Sequence, residues 1–190
     1  QAQGAQRYEK TIELQANRGR ILDRHGVVLA SSLPARSIWA YADRVDLSDP
    51  RLMDLARLLG MKPQDLQAKL THGDRSFVFL KRQVDLDTAE RIAALRIHGI
   101  GQDSEYKRNY PEGEIAAHLV GFTDLAHVGQ EGLELAFQST LAGKPGSRRV
   151  VRDGSGRIIS DIDQIKEPQD GRDLKLTIDS RIQYQAFQAV

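Results

Sequence analysis

Cysteine is absent from the 190-residue chain, so neither a disulfide nor a thiolate metal site can form, and an oxidising compartment is permitted without being required. Long apolar runs are missing as well: none approaches the roughly 18 residues that suggest a membrane span. The opening Gln1-Ala2-Gln3-Gly4 has neither the charged nor the apolar part of a signal peptide and no initiating Met, so the expectation is a trimmed piece of a longer chain. An excess of one charge is also lacking, since 27 Lys and Arg stand against 26 Asp and Glu. A net charge of +1 gives no electrostatic reason to expect nucleic acid or an anionic membrane as partner, and the basic residues must be paired locally. Aromatics make up only 6%, and the single tryptophan, Trp39, is expected as a partly buried core anchor. What remains, 40% hydrophobic and 28% charged residues, suffices for one ordinary domain or two small lobes sharing a core.

The organising stretch is Arg18-Gly19-Arg20-Ile21-Leu22-Asp23-Arg24-His25-Gly26-Val27-Val28-Leu29-Ala30. Apolar pairs lead into and out of Asp23-Arg24-His25-Gly26, which predicts a tight hairpin with Gly26 at a positive φ. Arg18, Arg20 and Arg24 carry planar, five-donor side chains suited to holding carboxylates from distant segments. Glu131 and Glu134 are the expected partners, three apart at a helix start, where the dipole also favours carboxylates; the alternative is that both are solvated helix ends.

Around this stretch the periodicity predicts a strand over residues 8–15 and another over 37–42 after Pro34. Leu52, Leu55, Ala56 and Leu59 fall at helical spacing, with Ser48 as candidate N-cap and Gly60 past the end. A second helix is expected over 63–70, closed by Gly73, then a strand over 77–84. Asp87-Thr88-Ala89-Glu90 reads as a capping box opening a helix to Leu95, which Gly99 and Gly101 stop. Tyr110-Pro111 ends the next strand, and a helix runs over 114–120. Leu133, Ala136, Phe137 and Leu141 predict one apolar face of a helix over 132–141. A second hairpin is expected over 147–162, with Arg148, Arg149, Arg152 and Arg157 either pairing across it with Asp153, Asp161 and Asp163 or forming a docking face. A strand over 174–178 and a helix from Asp179 or Ser180 complete the plan. The fold class is therefore α+β: a mainly β base with two hairpins, residues 1–45 and 108–178, and an inserted helix-rich α/β lobe, 46–107.

Metal and phosphate chemistry find little support. Histidines 25, 72, 98, 118 and 127 form no His-x-x-x-His pair. Asp161-Ile162-Asp163 and Asp153-Gly154-Ser155-Gly156 are too short of oxygens for a calcium loop. Gly143-Lys144 is followed by Pro145 where a phosphate loop needs Ser or Thr. No cofactor and no metal are expected.

Three segments in order carry a family resemblance. The Arg-Gly-x-Ile-x-Asp-Arg-x-Gly-x-x-Leu-Ala pattern starting at Arg18 resembles the first motif of the N-terminal periplasmic region of class B penicillin-binding proteins. Arg108-Asn109-Tyr110-Pro111-Glu112-Gly113 is similar to the family's Arg-x-Tyr-Pro-x-Gly, and Gly129-Gln130-Glu131-Gly132-Leu133-Glu134 to its Gly-x-x-Gly-x-Glu. The septal branch is the nearest in pattern.

The resemblance implies a non-catalytic pedestal whose parent is a D,D-transpeptidase of bacterial cell division, blocked by β-lactams. Its transpeptidase domain would start at about residues 179–190. It further implies a periplasmic location, a membrane helix upstream, and two kinds of partner: a membrane-embedded peptidoglycan glycosyltransferase and other division proteins. The family's catalytic centre needs Ser-x-x-Lys, Ser-x-Asn and Lys-Thr-Gly. Ser104-Glu105-Tyr106-Lys107 matches the first on paper, but residues three apart in an extended segment point to opposite faces, and the other two elements do not occur. Two rival readings are a hydrolase using Ser104 and Lys107 and an independent scaffold module.

Overall fold

A computed structural model describes residues 8–72, 77–152 and 158–179. In chain order its elements are β1 (Tyr8–Leu14), β2 (Ile21–Leu22), β3 (Val28–Tyr41), α1 (Arg51–Leu59), α2 (Pro63–Thr71), β4 (Phe77–Val84), α3 (Leu86–Ala94), β5 (Ile100–Asn109), α4 (Glu114–Val120), α5 (Gly132–Ala136), α6 (Gln138–Leu141), β6 (Gly146–Arg152), β7 (Ile158–Lys166) and β8 (Leu174–Lys175). The class is α+β, as the sequence predicts. Among the described residues there are two sheets: β1-β6-β7, and a five-stranded sheet ordered β4-β3-β2-β8 with β5 also paired to β3. The chain divides into two compact units, which are described separately.

The first unit gathers the described residues within Gln1–Ile12, Pro34–Glu105 and Arg149–Gln164. Its sheet pairs β3 with β4 antiparallel, Trp39 opposite Phe79 and Tyr41 opposite Phe77. Against it pack α1, α2 and α3, whose Leu55, Leu59, Leu66, Leu70 and Ile92 form one core with Ile38, Ala40, Leu80 and Val84. Helical spacing in these segments aligns the leucines on one face, and burying each contributes roughly 1.5–3 kcal/mol.

Several boundaries differ from the sequence expectation. Ser48 does not cap α1; Pro50 holds the N-cap position, and the Asp49 carboxylate accepts the backbone N–H of Arg51 at 2.9 Å. The cap of α3 is Asp85 rather than Asp87, with its Oδ1 2.8 Å from the N–H of Thr88 and Oδ2 taking the Thr88 hydroxyl at 3.1 Å. Two aspartates two residues apart offer the same cap chemistry, and the one whose oxygen reaches the third helical N–H prevails. Gly99 breaks the chain at a φ of 88°, whereas Gly101 lies inside β5. Its missing Cβ leaves room for Trp39, whose ring atoms would sit 2.3 Å from one. Trp39 is 4% exposed, the anchor role expected of it. Phe77 and Phe79, by contrast, are each 42% exposed, while Leu80 and Val84 of the same strand are buried in the core.

The second unit gathers the described residues within Glu13–Leu33, Tyr106–Arg148 and Ile165–Val190. The expected hairpin is present: Ile21 pairs with Ala30 and Leu22 with Val28. Gly26 closes the turn at a φ of 83°. The Asp23 carboxylate, fully buried, accepts the N–H groups of His25 and Val27 at 2.8 Å each. On the other side of β2 runs β8 in parallel. A small core collects Ile21, Leu29, Ala30, Ala116, Val120 and Leu141.

Pro34 does not break the strand; β3 runs on through it, with Leu33 and Pro34 both exposed. A proline is tolerated in a strand wherever its missing N–H has no ladder partner to lose. The strand expected over 174–178 is only two residues long. In the second hairpin, β6 lies beside β7. Its turn, the Gly73 helix stop and the C-terminal helix beyond Asp179 fall outside the described residues. Arg149 reaches Glu9 of β1 at 2.8 Å, and Arg152 lies 3.9 Å from Asp103 of β5. The pairing expected with Asp153, Asp161 and Asp163 lies outside the residues whose side chains are described.

The helix expected over 132–141 is two short helices broken at Phe137, whose backbone sits at φ −111° and ψ 27°. Its inner face is also different. Ala136 and Phe137 are exposed, while Glu134 is 0% exposed. Apolar spacing misplaced the face because its buried position is held by a carboxylate.

Candidate functional site: a buried arginine–glutamate knot

Within the second unit, three segments remote in sequence meet at Glu134. The Arg18 Nε donates to Glu134 Oε1 at 3.1 Å. From the end of β5, Arg108 grips the same carboxylate with two nitrogens, Nε to Oε2 at 2.9 Å and Nη2 to Oε1 at 3.1 Å. The Tyr110 hydroxyl donates to Oε2 at 2.8 Å. Side-chain exposures of 2% for Arg18, 3% for Arg108 and 0% for Glu134 place the cluster away from water.

Two guanidiniums around one carboxylate leave positive charge in excess, and backbone oxygens take it up. Arg18 Nη1 donates to the carbonyl of His127 at 2.9 Å and to Gln138 Oε1 at 2.8 Å, and its Nη2 to the carbonyl of Glu134 at 2.9 Å. Arg108 Nη2 donates to the carbonyl of Gly19 at 2.7 Å and Nη1 to the Ser32 hydroxyl at 3.0 Å. Taking such ions out of water costs several kcal/mol each, which only this density of donors and acceptors offsets. Burial is the leading influence on Arg18 and pulls its pKa below the usual guanidinium value, with the Glu134 charge opposing. Burial likewise raises the Tyr110 phenol to about 12, and the neighbouring Glu134 charge adds to the effect. The phenol therefore stays a neutral donor.

Glycines let the backbones approach. A Cβ on Gly19 would lie 1.9 Å from the carbonyl oxygen of Arg172, and one on Gly129 would lie 2.0 Å from that of Glu134. The N–H of Gly129 donates to Gln138 Oε1 at 2.8 Å, so the same amide side chain holds both Arg18 and the loop before α5.

Of the residues singled out in the sequence, Arg18, Gly19, Arg108, Tyr110, Gly129 and Glu134 are thus brought together. Arg20 instead pairs with Asp173 at 2.9 Å on an exposed surface, and its hydrogen bonds hold the Asp173 carboxyl below the usual range. Arg24 is exposed, and its backbone N–H donates to the carbonyl of Ile178 at 2.8 Å. Glu131 is exposed at the N-cap of α5 and does not reach the arginines. Asp23 and Gly26 shape the hairpin turn. Pro111 follows β5, while Gly113 and Gly132 stand at the starts of α4 and α5 with φ of 55° and 60°. Sequence reasoning missed Arg108 as the second cation on Glu134, and it missed Gln138 and Ser32 altogether. Only Gln138 carried a signal: it stands four residues after Glu134, the spacing of one helical face.

Nothing in this geometry is reactive. A carboxylate enclosed by four donor contacts has no open side for a substrate proton. Ser104 lies on β5, an extended strand, and its hydroxyl oxygen accepts from Arg36 Nη1 at 2.8 Å. No group of three or more metal-ligating side chains occurs among the described residues.

Comparison with known proteins concerns the chain as a whole. Residues 13–176 match the family model of the Penicillin-binding Protein dimerisation domain. The chain is 40% identical over 190 residues to the probable peptidoglycan D,D-transpeptidase PenA of Neisseria gonorrhoeae, a match covering 98% of this chain and 33% of that protein. It is 37% identical over 188 residues to the peptidoglycan D,D-transpeptidase FtsI of Escherichia coli K12, covering 95% and 32%. The chain therefore spans about a third of the length of the curated relatives it matches. A crystal structure of a peptidoglycan synthetase from Bifidobacterium adolescentis shares the fold, with a TM-score of 0.56 at 24% identity, over 95% of this chain and 38% of that one.

Proposed function

The chain belongs to the family of penicillin-binding protein dimerisation domains, and from that premise we propose that it is the non-catalytic pedestal and docking region of a peptidoglycan D,D-transpeptidase of bacterial cell division. The observation that carries this reading is the knot at Glu134. Three motifs spread from Arg18 to Glu134 converge on one carboxylate in a geometry that positions backbone and leaves no reacting group free. Rigid support is what such a cluster supplies.

In this reading the parent protein is periplasmic and anchored to the inner membrane by a helix upstream of Gln1. Its transpeptidase domain follows from about residue 179 and brings the catalytic serine. The pedestal holds that domain away from the membrane and meets the membrane-embedded peptidoglycan glycosyltransferase and other division proteins. The exposed helix surface of α1 bearing Arg51, Asp54 and Arg57 is available to partners.

A fluorescent penicillin tests the catalytic half of the proposal. Incubated with the 190-residue chain, it should leave the mass unchanged; a stoichiometric covalent adduct on Ser104 would overturn the pedestal reading.

A further inference from the structure

The strand β4 ends its sheet: β3 pairs with one side of it, and among the described residues no strand pairs with the other. Proteins ordinarily blunt such edges with lysines, bulges or irregular register, because a bare row of N–H and C=O groups templates another strand. On β4 these devices sit in the second half. Lys81 folds onto the end of α1, its Nζ donating to the carbonyl of Leu59 at 3.0 Å. Gln83 is a non-glycine at φ 56°, and the register with β3 slips between Arg36 and Trp39. Over residues 77–79, which pair in unbroken register with Tyr41, Ala40 and Trp39, none of them is present. Phe77 and Phe79 stand there 42% exposed, in edge-to-face contact with ring centroids 5.0 Å apart. Behind them the aromatic group continues through Trp39 and Tyr41.

The charge on the strand itself has one sign. The strand carries Lys81 and Arg82 and no carboxylate. Arg82 lies over the Phe79 ring at 4.9 Å while paired to Glu105, and Arg44 lies over the Tyr41 ring at 4.6 Å. Neither Lys81 nor Arg44 has a carboxylate within ion-pair distance among the described residues. A strand edge is covered by an extended backbone, exposed rings by side chains on alternate positions of that backbone, and unpaired cations by acids.

We propose that residues 77–79 of β4 receive an extended, acidic segment of a partner protein, which adds to the sheet as a further strand and lays alternate side chains on Phe77 and Phe79. The inference rests on the docking role proposed above and specifies its partner by chemistry. A test uses the 190-residue chain and a tagged seven-residue peptide of alternating Val and Glu. Its controls are a Val and Lys twin and versions of the acidic peptide N-methylated at alternate residues. Fluorescence anisotropy should show the acidic peptide binding at least tenfold tighter than either control. Hydrogen exchange of the 77–79 amides should slow when it is added. The F77S/F79S double variant should lose at least tenfold in affinity at an unchanged melting temperature. No binding at millimolar peptide, equal binding of the lysine or N-methylated forms, or protection confined to another element would overturn the proposal. So would sedimentation showing that the chain covers this edge with a second copy of itself. Penicillin labelling is independent of all these readouts, so the pedestal reading and this one can fail separately.

Discussion

In the unit that holds α1, α2 and α3, the core between helices and sheet is aliphatic: Leu55, Leu59, Leu66 and Leu70 pack on Ile38 and Leu80. In the unit that holds Glu134, the apolar core is smaller, and the buried positions beside it are filled by Arg18, Arg108 and the carboxylate itself. Aliphatic packing is non-directional and accepts exchanges of similar volume. An ionic knot is directional. Its donors meet named acceptors at fixed distances and angles, so the knot specifies which segments meet while adding little net stability over an apolar filling. The first unit should therefore tolerate conservative change in its interior, and the second should not.

The widest break in that contrast comes from truncating the shared anion. Glu134→Ala strands two buried guanidiniums and should cost about 3–5 kcal/mol in urea unfolding, with hydrogen exchange rising first in the residues around α4 and β2. In the aliphatic unit, Leu55→Ala should cost about 2–5 kcal/mol but Leu55→Met less than about 1.5 kcal/mol. The corresponding conservative change in the knot, Arg108→Lys, should be far costlier than Leu55→Met, because an ammonium cannot reproduce the two-nitrogen grip.

The contrast also explains what was legible in the chain. Leucine spacing at 52, 55, 56 and 59 read directly as a helix, because burying those side chains requires only one common face. Glu134 was readable as an arginine partner from the motif residues, but the choice of Arg18 over Arg20 and Arg24, and the entry of Arg108, depend on which strand ends converge, which no local pattern encodes. The mistaken helix face at Ala136 and Phe137 has the same origin: an apolar period cannot register a buried charge. Pro34 misled for a simpler reason, since its cost in a strand depends on whether a neighbour needs its N–H.

A smaller effect lies at the rim of the knot. Tyr110→Phe removes a hydrogen bond to a charged acceptor and should cost about 1.5–3 kcal/mol at neutral pH. Its phenol is raised to about 12 in the folded chain from an ordinary value of 10. The unfolded state thus loses its proton first, so the contribution is full below pH 10 and declines from there toward 12. Unfolding midpoints measured across that window should fall less steeply in the phenylalanine variant. The smallest effect is expected outside the knot, at Arg20 and Asp173, whose side chains are 53% and 42% exposed. Arg20→Ala should cost no more than about 1 kcal/mol. Because Arg20 holds the Asp173 carboxyl low, that small contribution is present above the unfolded carboxyl pKa and fades as pH falls through the folded one. Raising salt should shrink it further.

The most direct measurement is a double-mutant cycle between Arg108 and Glu134, using methionine at both positions and urea unfolding of all four proteins. A directional knot predicts that the costs of the two single changes sum to more than the cost of the double change, by a coupling of about 2–3 kcal/mol. Additive costs, with a coupling below about 0.5 kcal/mol, would contradict the account.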